Sequence, residues 1–496
     1  MKHFFSMISV LLILSVTAAF AGGGKQSQSG QAAGGGGSTA NQVTIDWYWV
    51  ENLEEPDNDL ISAEISKLTL PKINAKIQMH VFDWGSWGTK IDLMLASGEK
   101  VDLVSTVSLP YHQMIAKDYF LPLDELYAAY GKDMAQHMIE YNLEGCRVNG
   151  KLYAIPTPKE AGGAYGYVIR KDYVDATGVD LSKVKTMEDM TAIWAKFKAY
   201  NPDFAIYNNA GAFLDLMGFQ VLGDGPGRIY KNEKAEVVNE YEHPAFQRIA
   251  KLWHEWYQAG YINKETATPN FAHTAALRDD KIQVIGGQSK NGIEAEVSAG
   301  IGGKYEYTKV ILEPPIALTF TGYECAFAIP RSAPNPERSM MFLNLLMSDP
   351  QIHNLANFGI EGRNYITLPD GRIDFPKGVD PANLTYIPNV IWENGNAFIS
   401  KWWSTYPVDH VARLRAYNAT VAPSVALGFS FDADPVKAEI GACANLYEEF
   451  RYAILSGAQP LENYYQRMIQ QYKAAGIDRI IAEKRRQLNA WLAAKK

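Results

Sequence analysis

The feature that most constrains the fold is a change of hydrophobic period repeated along the first hundred residues. Val43 to Val50 alternates around aromatics and reads as a strand. Ile61 to Leu70 reads as a helix, and Lys76 to Phe82 alternates again. Thr89 to Ala96 starts a helix that ends near Gly98, and Val101 to Ser105 is a short apolar strand. Strand, helix, strand, helix, strand is the pattern of an α/β sheet with parallel strands. Further on, Gly150 to Pro156 reads as an apolar strand ended by Pro156 and Pro158, a stiff connector, and Tyr165 to Arg170 as another strand. Pro244, Pro336 and Pro350 stand at helix starts, and Gly260 and Gly359 at helix stops. The tail is helical. Its stripes Ile440, Tyr447, Phe450, Ile454 and Leu461, Tyr465, Met468, Tyr472 read as core, as do Trp253 and Trp256.

The chain has 496 residues, enough for roughly three domains or two large lobes. Its N-terminus reads as an export signal, with Lys2, the apolar run Met7 to Val16 and the small-x-small site Ala19-Phe20-Ala21. Cleavage is expected after Ala21. No Cys follows the run, so a lipobox is absent. Gly22 to Ala40 holds eight Gly and no large apolar side chain, and reads as a flexible linker. Cys146, Cys325 and Cys443 fit no zinc spacing and read as small buried hydrophobes. A net charge of −8 argues against general nucleic-acid binding. The 28 Tyr and 11 Trp suit a large core, and also suit stacking on the apolar face of a sugar.

Signatures of catalysis are absent. There is no G-x-S-x-G elbow, no H-E-x-x-H and no P-loop. Gly223-Asp-Gly-Pro-Gly227 makes a poor phosphate cradle, and Asp432-Ala-Asp434 lacks the rest of a calcium loop and reads as a helix entry. No cofactor and no metal is expected. A pair of carboxylates for glycoside hydrolysis leaves no trace in one dimension, so a glycoside hydrolase stays open as an alternative, beside a ligand-sensing module for a membrane receptor.

Several segments in order resemble the extracellular solute-binding proteins of bacterial ABC importers, in the maltose-binding (family 1) cluster. They are Ala96-Ser-Gly-Glu-Lys-Val-Asp-Leu103, then Asn149-Gly-Lys-Leu-Tyr-Ala-Ile-Pro156 with Glu160 and Tyr167-Val-Ile-Arg-Lys-Asp172, then Ile329-Pro330 with Asn335-Pro336-Glu337. Phe358-Gly-Ile-Glu-Gly-Arg-Asn-Tyr365, Phe429-Ser-Phe-Asp432, Pro435-Val-Lys437 and Ala475-Gly-Ile-Asp478 with Gln487 and Trp491 resemble the LipO-type subgroup, with its added C-terminal domain.

That resemblance implies a two-lobed α/β periplasmic-binding-protein fold (type II), with a hinge of crossing strands and a helical C-terminal extension. The expected division is 1–21 signal peptide, 22–40 linker, 41–157 and 320–387 lobe 1, 158–319 and 388–496 lobe 2. It implies an exported monomer, in the periplasm or at the cell exterior, that captures an oligosaccharide or sugar derivative between the lobes and delivers it to ABC permease subunits. The expected ligand contacts follow strands: Trp49, Glu51 and Asn52; Trp84; Ser105, Thr106 and Tyr111; Glu160 in the crossover; Gln288; Tyr323 and Glu324; Arg363, Asn364 and Tyr365; Trp392 and Trp402.

Overall fold

The computed structural model describes residues 39–51, 55–268, 271–379, 384–386, 388 and 390–495. The expected leader and most of the Gly-rich segment lie outside the described residues. Among those residues, no helix is long and apolar enough to cross a membrane.

The first sheet is built from β1 (Val43–Glu51), β2 (Ala75–Asp83), β3 (Leu103–Ser105), β4 (Ile155–Pro156) and, much later in the chain, β9 (Ala326–Ala328). The second takes β5 (Gly163–Arg170), β6 (Ile206–Asn208), β7 (Val284–Gln288), β8 (Tyr307–Ala317) and β10 (Ala422–Pro423). Their orders are β2-β1-β3-β9-β4 and β10-β8-β5-β7-β6. β1, β2 and β3 run parallel, as the first hundred residues imply. β9 runs antiparallel to both β3 and β4, and β5 is antiparallel to β7 and β8. The sheets are therefore mixed rather than purely parallel. The chain leaves the first sheet after β4 and returns through β8 into β9, so strands entering and leaving lie side by side.

Burial follows position in the sheet. β1 is central, and from Trp47 to Val50 it is buried on both faces. β2 is an edge strand and alternates, with Ala75, Ile77, Met79 and Val81 inward. Its outer backbone edge needs partners. The helix Asn58–Ile73 supplies them from its buried face. Ser66 Oγ accepts the Ile77 amide at 2.9 Å, Ser62 Oγ accepts the Met79 amide at 3.1 Å, and Thr69 Oγ1 donates to the Ala75 carbonyl at 2.7 Å. Polar residues inside an otherwise apolar stripe thus serve as the missing neighbour strand.

The segment from Gly150 to Pro156 departs from the single strand expected. Arg147–Val148 pairs with Lys151–Leu152 as a hairpin. Asn149 and Gly150 form its turn with φ of 51° and 78°, the left-handed pair that a two-residue hairpin requires. β4 is a separate short strand.

Where the chain passes between the sheets, backbone meets backbone. A Cβ on Gly322 would lie 2.4 Å from the Asn142 carbonyl oxygen, and one on Gly162 would lie 2.4 Å from that of Ile316. Only glycine fits such approaches.

Two large cores result. Trp47, Trp49, Phe327, Phe342 and Leu346 belong to the one around the first sheet, which Tyr386 and Val390 also join. Tyr167, Trp194, Trp253 and Trp256 belong to the other. The C-terminal helices Lys437–Phe450, Leu461–Ala474 and Ile477–Ala494 add Phe450, Met468, Tyr472, Ile480 and Leu488 to that second core. A smaller cluster of Phe358, Tyr365, Ile373, Ile391, Trp403 and Leu414 stands apart. All three cysteines are buried and unpaired.

Two sequence features acquire a structural purpose here. The turn Gly223–Gly227 wraps Lys484 of the last helix, whose ammonium donates to the carbonyls of Gly225 at 3.0 Å and Gly227 at 3.1 Å. Positive φ at all three glycines aims those carbonyls inward. Asp432 and Gln487 exchange two bonds, Asp432 N to Gln487 Oε1 at 2.9 Å and Gln487 Nε2 to Asp432 O at 2.8 Å. Phe429 stands edge-on to Trp491 beside them.

The serine arrangement predicts that Ser62→Ala and Ser66→Ala each lower stability by about 1–3 kcal/mol, because each strands a buried amide. Equilibrium denaturation in urea, read by tryptophan fluorescence, measures it. Leu68→Ala, on a partly buried apolar position of the same helix, serves as a control that removes packing without orphaning a donor.

Candidate functional site

Two cavities adjoin where the polypeptide crosses between the sheets. The larger, of about 810 Å³, is lined by β7 through Ile285 and Gln288, by the helices His273–Arg278 and Ile293–Gly300, and by Asp374–Phe375 and Trp403–Tyr406. The smaller, of about 90 Å³, takes Lys159 and Glu160 from the crossing after β4, and Lys290 and Asn291 from the turn after β7. Trp392, Trp402 and His410 complete its polar and aromatic wall. Glu296 and Tyr406 belong to both linings, so the two cavities are neighbours in one region of the surface.

An aromatic pair flanks the smaller cavity. Trp84, in the turn after β2, is 41% exposed. Its ring lies 6.1 Å from that of Trp392, with 17° between their planes. Trp402 packs on His410 and Tyr406 at centroid distances of 4.1 Å and 4.8 Å.

Charge in the small cavity is nearly balanced. Lys290 pairs with Glu296 at 3.0 Å. Burial alone would lower the Lys290 pKa, but the carboxylates of Glu296 and Glu160 outweigh it and hold the ammonium above its ordinary value. Lys159 behaves alike: burial opposes its charge, while Cys325, Glu324 and Glu160 favour it. Its ammonium donates to Cys325 Sγ at 3.2 Å. Burial pushes His410 down to about 4, so its ring is neutral at pH 7. Asn291 Nδ2, Trp402 Nε1 and His410 Nδ1 are buried with no partner among the described residues. A lining of apolar ring faces, unspent N–H groups and paired charges is chemistry for a neutral, hydroxyl-rich ligand. Among the described residues, no group of three or more His, Cys, Asp or Glu is placed to hold a metal ion.

The expected contacts divide sharply. Glu160, Trp392 and Trp402 line the small cavity, Gln288 lines the large one, and Trp84 joins through Trp392. Asn52 lies outside the described residues. Glu51 is half-buried at the end of β1, and Glu324 is half-buried just before β9.

The others are engaged in structure. Trp49 is wholly buried, because its inward position on a central strand puts it in the core against Trp47. Thr106 Oγ1 donates to the Tyr323 carbonyl at 2.6 Å. Tyr111 donates to the Cys146 carbonyl at 2.7 Å and stacks on Tyr323 at 4.8 Å. These three tie β3 to the returning chain. Ser105 is buried beside the Glu393 carboxyl. Arg363 grips Asp57 with two bonds of 2.7 Å and 2.8 Å, and Asn364 Oδ1 accepts the Ile360 amide at 2.9 Å. Tyr365 packs edge-on to Phe358 in the small separate core. None of Trp49, Ser105, Thr106, Tyr111, Arg363, Asn364 or Tyr365 belongs to the lining of either cleft cavity.

Lys159, Lys290, Glu296, Tyr406 and His410 escaped the sequence reading. Lys159 adjoins Glu160 and was within its reach. Trp402, Tyr406 and His410 recur at intervals of four, a signal hidden in a stretch with no regular element before His410.

Residues 71–374 match the family described as "Bacterial extracellular solute-binding protein". The chain belongs to that family. Residues 425–493 match a domain of unknown function, DUF3502. The chain is 26% identical over 456 residues to a "Carbohydrate ABC transporter substrate-binding protein" of Streptococcus pneumoniae serotype 4, covering 89% of this chain and 90% of that one. It is 25% identical over 316 residues to "Lipoprotein LipO" of Bacillus subtilis, covering 58% and 60%. Its fold resembles the crystal structure of the N-glycan transport solute binding protein NgtS of S. pneumoniae, with a TM-score of 0.81 and 25% identity over 92% of this chain and all of that one. The TM-score is 0.71 for the same protein in complex with Man5GlcNAc. The two-lobed α/β fold expected from the sequence is the fold of NgtS, and both S. pneumoniae proteins are named as binding components of transport.

The Arg363–Asp57 pair carries a prediction of its own. Hydrogen bonds from Arg363 hold the Asp57 carboxyl down at about 2. The stabilisation is therefore complete above the ordinary value of 3.8 and is lost as the pH falls toward about 2. Arg363→Ala should lower the melting temperature at pH 7 and leave ligand affinity intact. The gap from wild type should close on acidification, as scanning calorimetry across pH will show.

Proposed function

We propose that this protein is an exported carbohydrate-binding component of an ABC importer. It captures an oligosaccharide between its lobes and hands it, unaltered, to membrane permease subunits. The observation that carries this reading is the Trp84–Trp392 pair beside a cavity whose own wall has unspent N–H donors. Flat rings cover the C–H face of a pyranose while N–H and carboxylate groups take its hydroxyls. The volume of the larger cavity, about 810 Å³, suits several sugar units rather than one. The relatives' names point the same way: one is a carbohydrate transporter component, and NgtS has been crystallised with Man5GlcNAc.

Capture works through the crossing segments. We take lobe 1 as 41–157 and 320–387 and lobe 2 as 158–319 and 388–496, with the stretch around Val390 and Trp392 packing on the core of lobe 1 and the last segment carrying the helical C-terminal domain. Trp84 belongs to lobe 1. Lys290 and Glu296 belong to lobe 2. A sugar that touches both sets of residues makes its full complement of contacts only when the lobes are closed, so it shifts the population toward closure. The protein acts as a monomer outside the cytoplasm, after cleavage behind Ala21.

Glu160 and Glu296 share one cavity, which gives hydrolysis a specific observation in its favour. Incubation of purified protein with labelled Man5GlcNAc, followed by chromatography, separates the two: recovery of intact glycan is expected, and cleaved product would establish the hydrolase instead.

Binding should be visible as a rise in melting temperature with glycan and as a contraction in small-angle scattering. Trp84→Ala and Trp392→Ala should each weaken glycan binding by about tenfold, the loss of one ring platform. Wild-type affinity in both variants would remove Trp84 and Trp392 from the site.

A further inference from the structure

Glu393 follows Trp392 and is completely buried. Three stretches that are distant in sequence converge on it. Its Oε1 accepts the Val50 amide at 3.4 Å, at the end of β1. The Ser105 hydroxyl, at the end of β3, is buried beside the same carboxyl and favours its charged form. Thr157 Oγ1, on the crossing after β4, donates to the Glu393 carbonyl at 2.5 Å. The residues that follow are fastened as firmly. Asn357 Nδ2 donates to the Asn394 carbonyl at 2.9 Å, Asn396 Nδ2 donates to the Met347 carbonyl at 2.8 Å, and the Ala397 amide donates to the Pro158 carbonyl at 2.9 Å. Trp392 is thus the cleft-facing residue of a segment fixed on its inner side by Glu393.

The second carboxyl oxygen, Oε2, is buried without a partner among the described residues. An ionised carboxylate in that position would leave half its charge uncompensated in a dry interior. Burial, first of all, and the nearby Glu51 raise the Glu393 pKa to about 8, against the lowering effect of Ser105, the Val50 amide and Lys159. Cys325, which contacts Lys159, also senses Glu393 and is itself raised by burial to about 11. On the far side His353 accepts the Asn396 amide at 3.1 Å and is neutral, pushed by burial to about 3. Lys159 is the one cation facing Glu393 in this set, and Glu51 opposes it.

We propose that Glu393 is a positioning residue for carbohydrate capture: its buried, uncharged carboxyl lets the ends of β1 and β3 close dry against the Trp392 segment, and ionisation, which the pocket can solvate only by admitting water beside Oε2, slackens Trp392 against Trp84 and weakens binding. This deepens the carbohydrate reading and rests on it for the binding arm alone. Gln reproduces the neutral carboxyl and removes the titration. Ala removes the carboxyl.

The test uses full-length protein, Man5GlcNAc as the probe and two readouts. In the first, glycan affinity is followed from pH 6 to pH 9.5. Wild type should weaken about tenfold as the pH rises through about 8, whereas Glu393→Gln should match wild type at pH 6 and stay flat. Glu393→Ala should bind about tenfold more weakly at every pH. In the second, the ligand-free protein is titrated and the emission of Trp392 is taken as the difference from a Trp392→Phe variant. Wild type should show a step near the same pH, and Glu393→Gln none. The melting temperature supplies a check of sign. The contribution of a raised carboxyl is complete below 4.5 and is lost as the pH rises to about 8, so wild type should lose stability relative to Glu393→Gln across that window. A step that persists in Glu393→Gln, or no step in wild type, overturns the proposal. If wild type binds no glycan at any pH, the carbohydrate reading falls, and the ligand-free titration still decides the role of Glu393.

Discussion

Everything in this molecule depends on how closely the chain can approach itself where it passes between the two sheets. Gly162 against Ile316 and Gly322 against Asn142 bring main chain onto main chain with no room for a single methyl group. Around these contacts the polar residues are spent on the crossing itself. Thr106 holds the Tyr323 carbonyl, Tyr111 holds that of Cys146, and Thr157 holds that of Glu393. Side chains at strand ends are the natural places to seek ligand contacts in an open α/β sheet. Here several of them stabilise the joint instead. The cleft is lined from just beyond it, by Lys159 and Glu160 on one passage and by Trp392 and Trp402 on the stretch after Val390.

The legible parts of the fold are those where periodicity and burial agree. β2 alternates in sequence because it is an edge strand with one wet face, and β1 carries more aromatics because it is covered on both. The helices starting at Pro244, Pro336 and Pro350 were readable from their first residue, and the first and last of them also from their glycine stops. The hairpin at Asn149-Gly150 was not, because its strands are two residues long and leave no period to detect, although the dipeptide itself is a hairpin turn. Mixed strand direction was equally hidden. β9 lies some 170 residues after its neighbour β4, and a three-residue apolar run does not state which way it runs.

Within the candidate site, residues named by a strand end or a crossover motif reached the cleft when they lay beyond the joint, as Gln288 and Glu160 do, and missed it when they lay within, as Ser105 and Thr106 do. Arg363 illustrates a different failure. A charged residue in a family motif was read as a ligand contact, yet its guanidinium matches the carboxylate of Asp57, about 300 positions earlier. Motif retention and ligand contact are separate matters, and the same holds for Phe429, Asp432, Gln487 and Trp491. Together they dock the final helix.

That final helix also bears on biogenesis. The ammonium of Lys484 is received by carbonyls of a turn more than 250 residues upstream, and the apolar face around it completes the second core. The nascent polypeptide cannot complete this half until that helix has been synthesised, more than 250 residues after the turn it closes on. Contacts of such long range also slow folding. A chain built in this way keeps this half open until that helix is made, a delay that suits a protein of an extracellular family, which must be threaded across a membrane before it becomes compact.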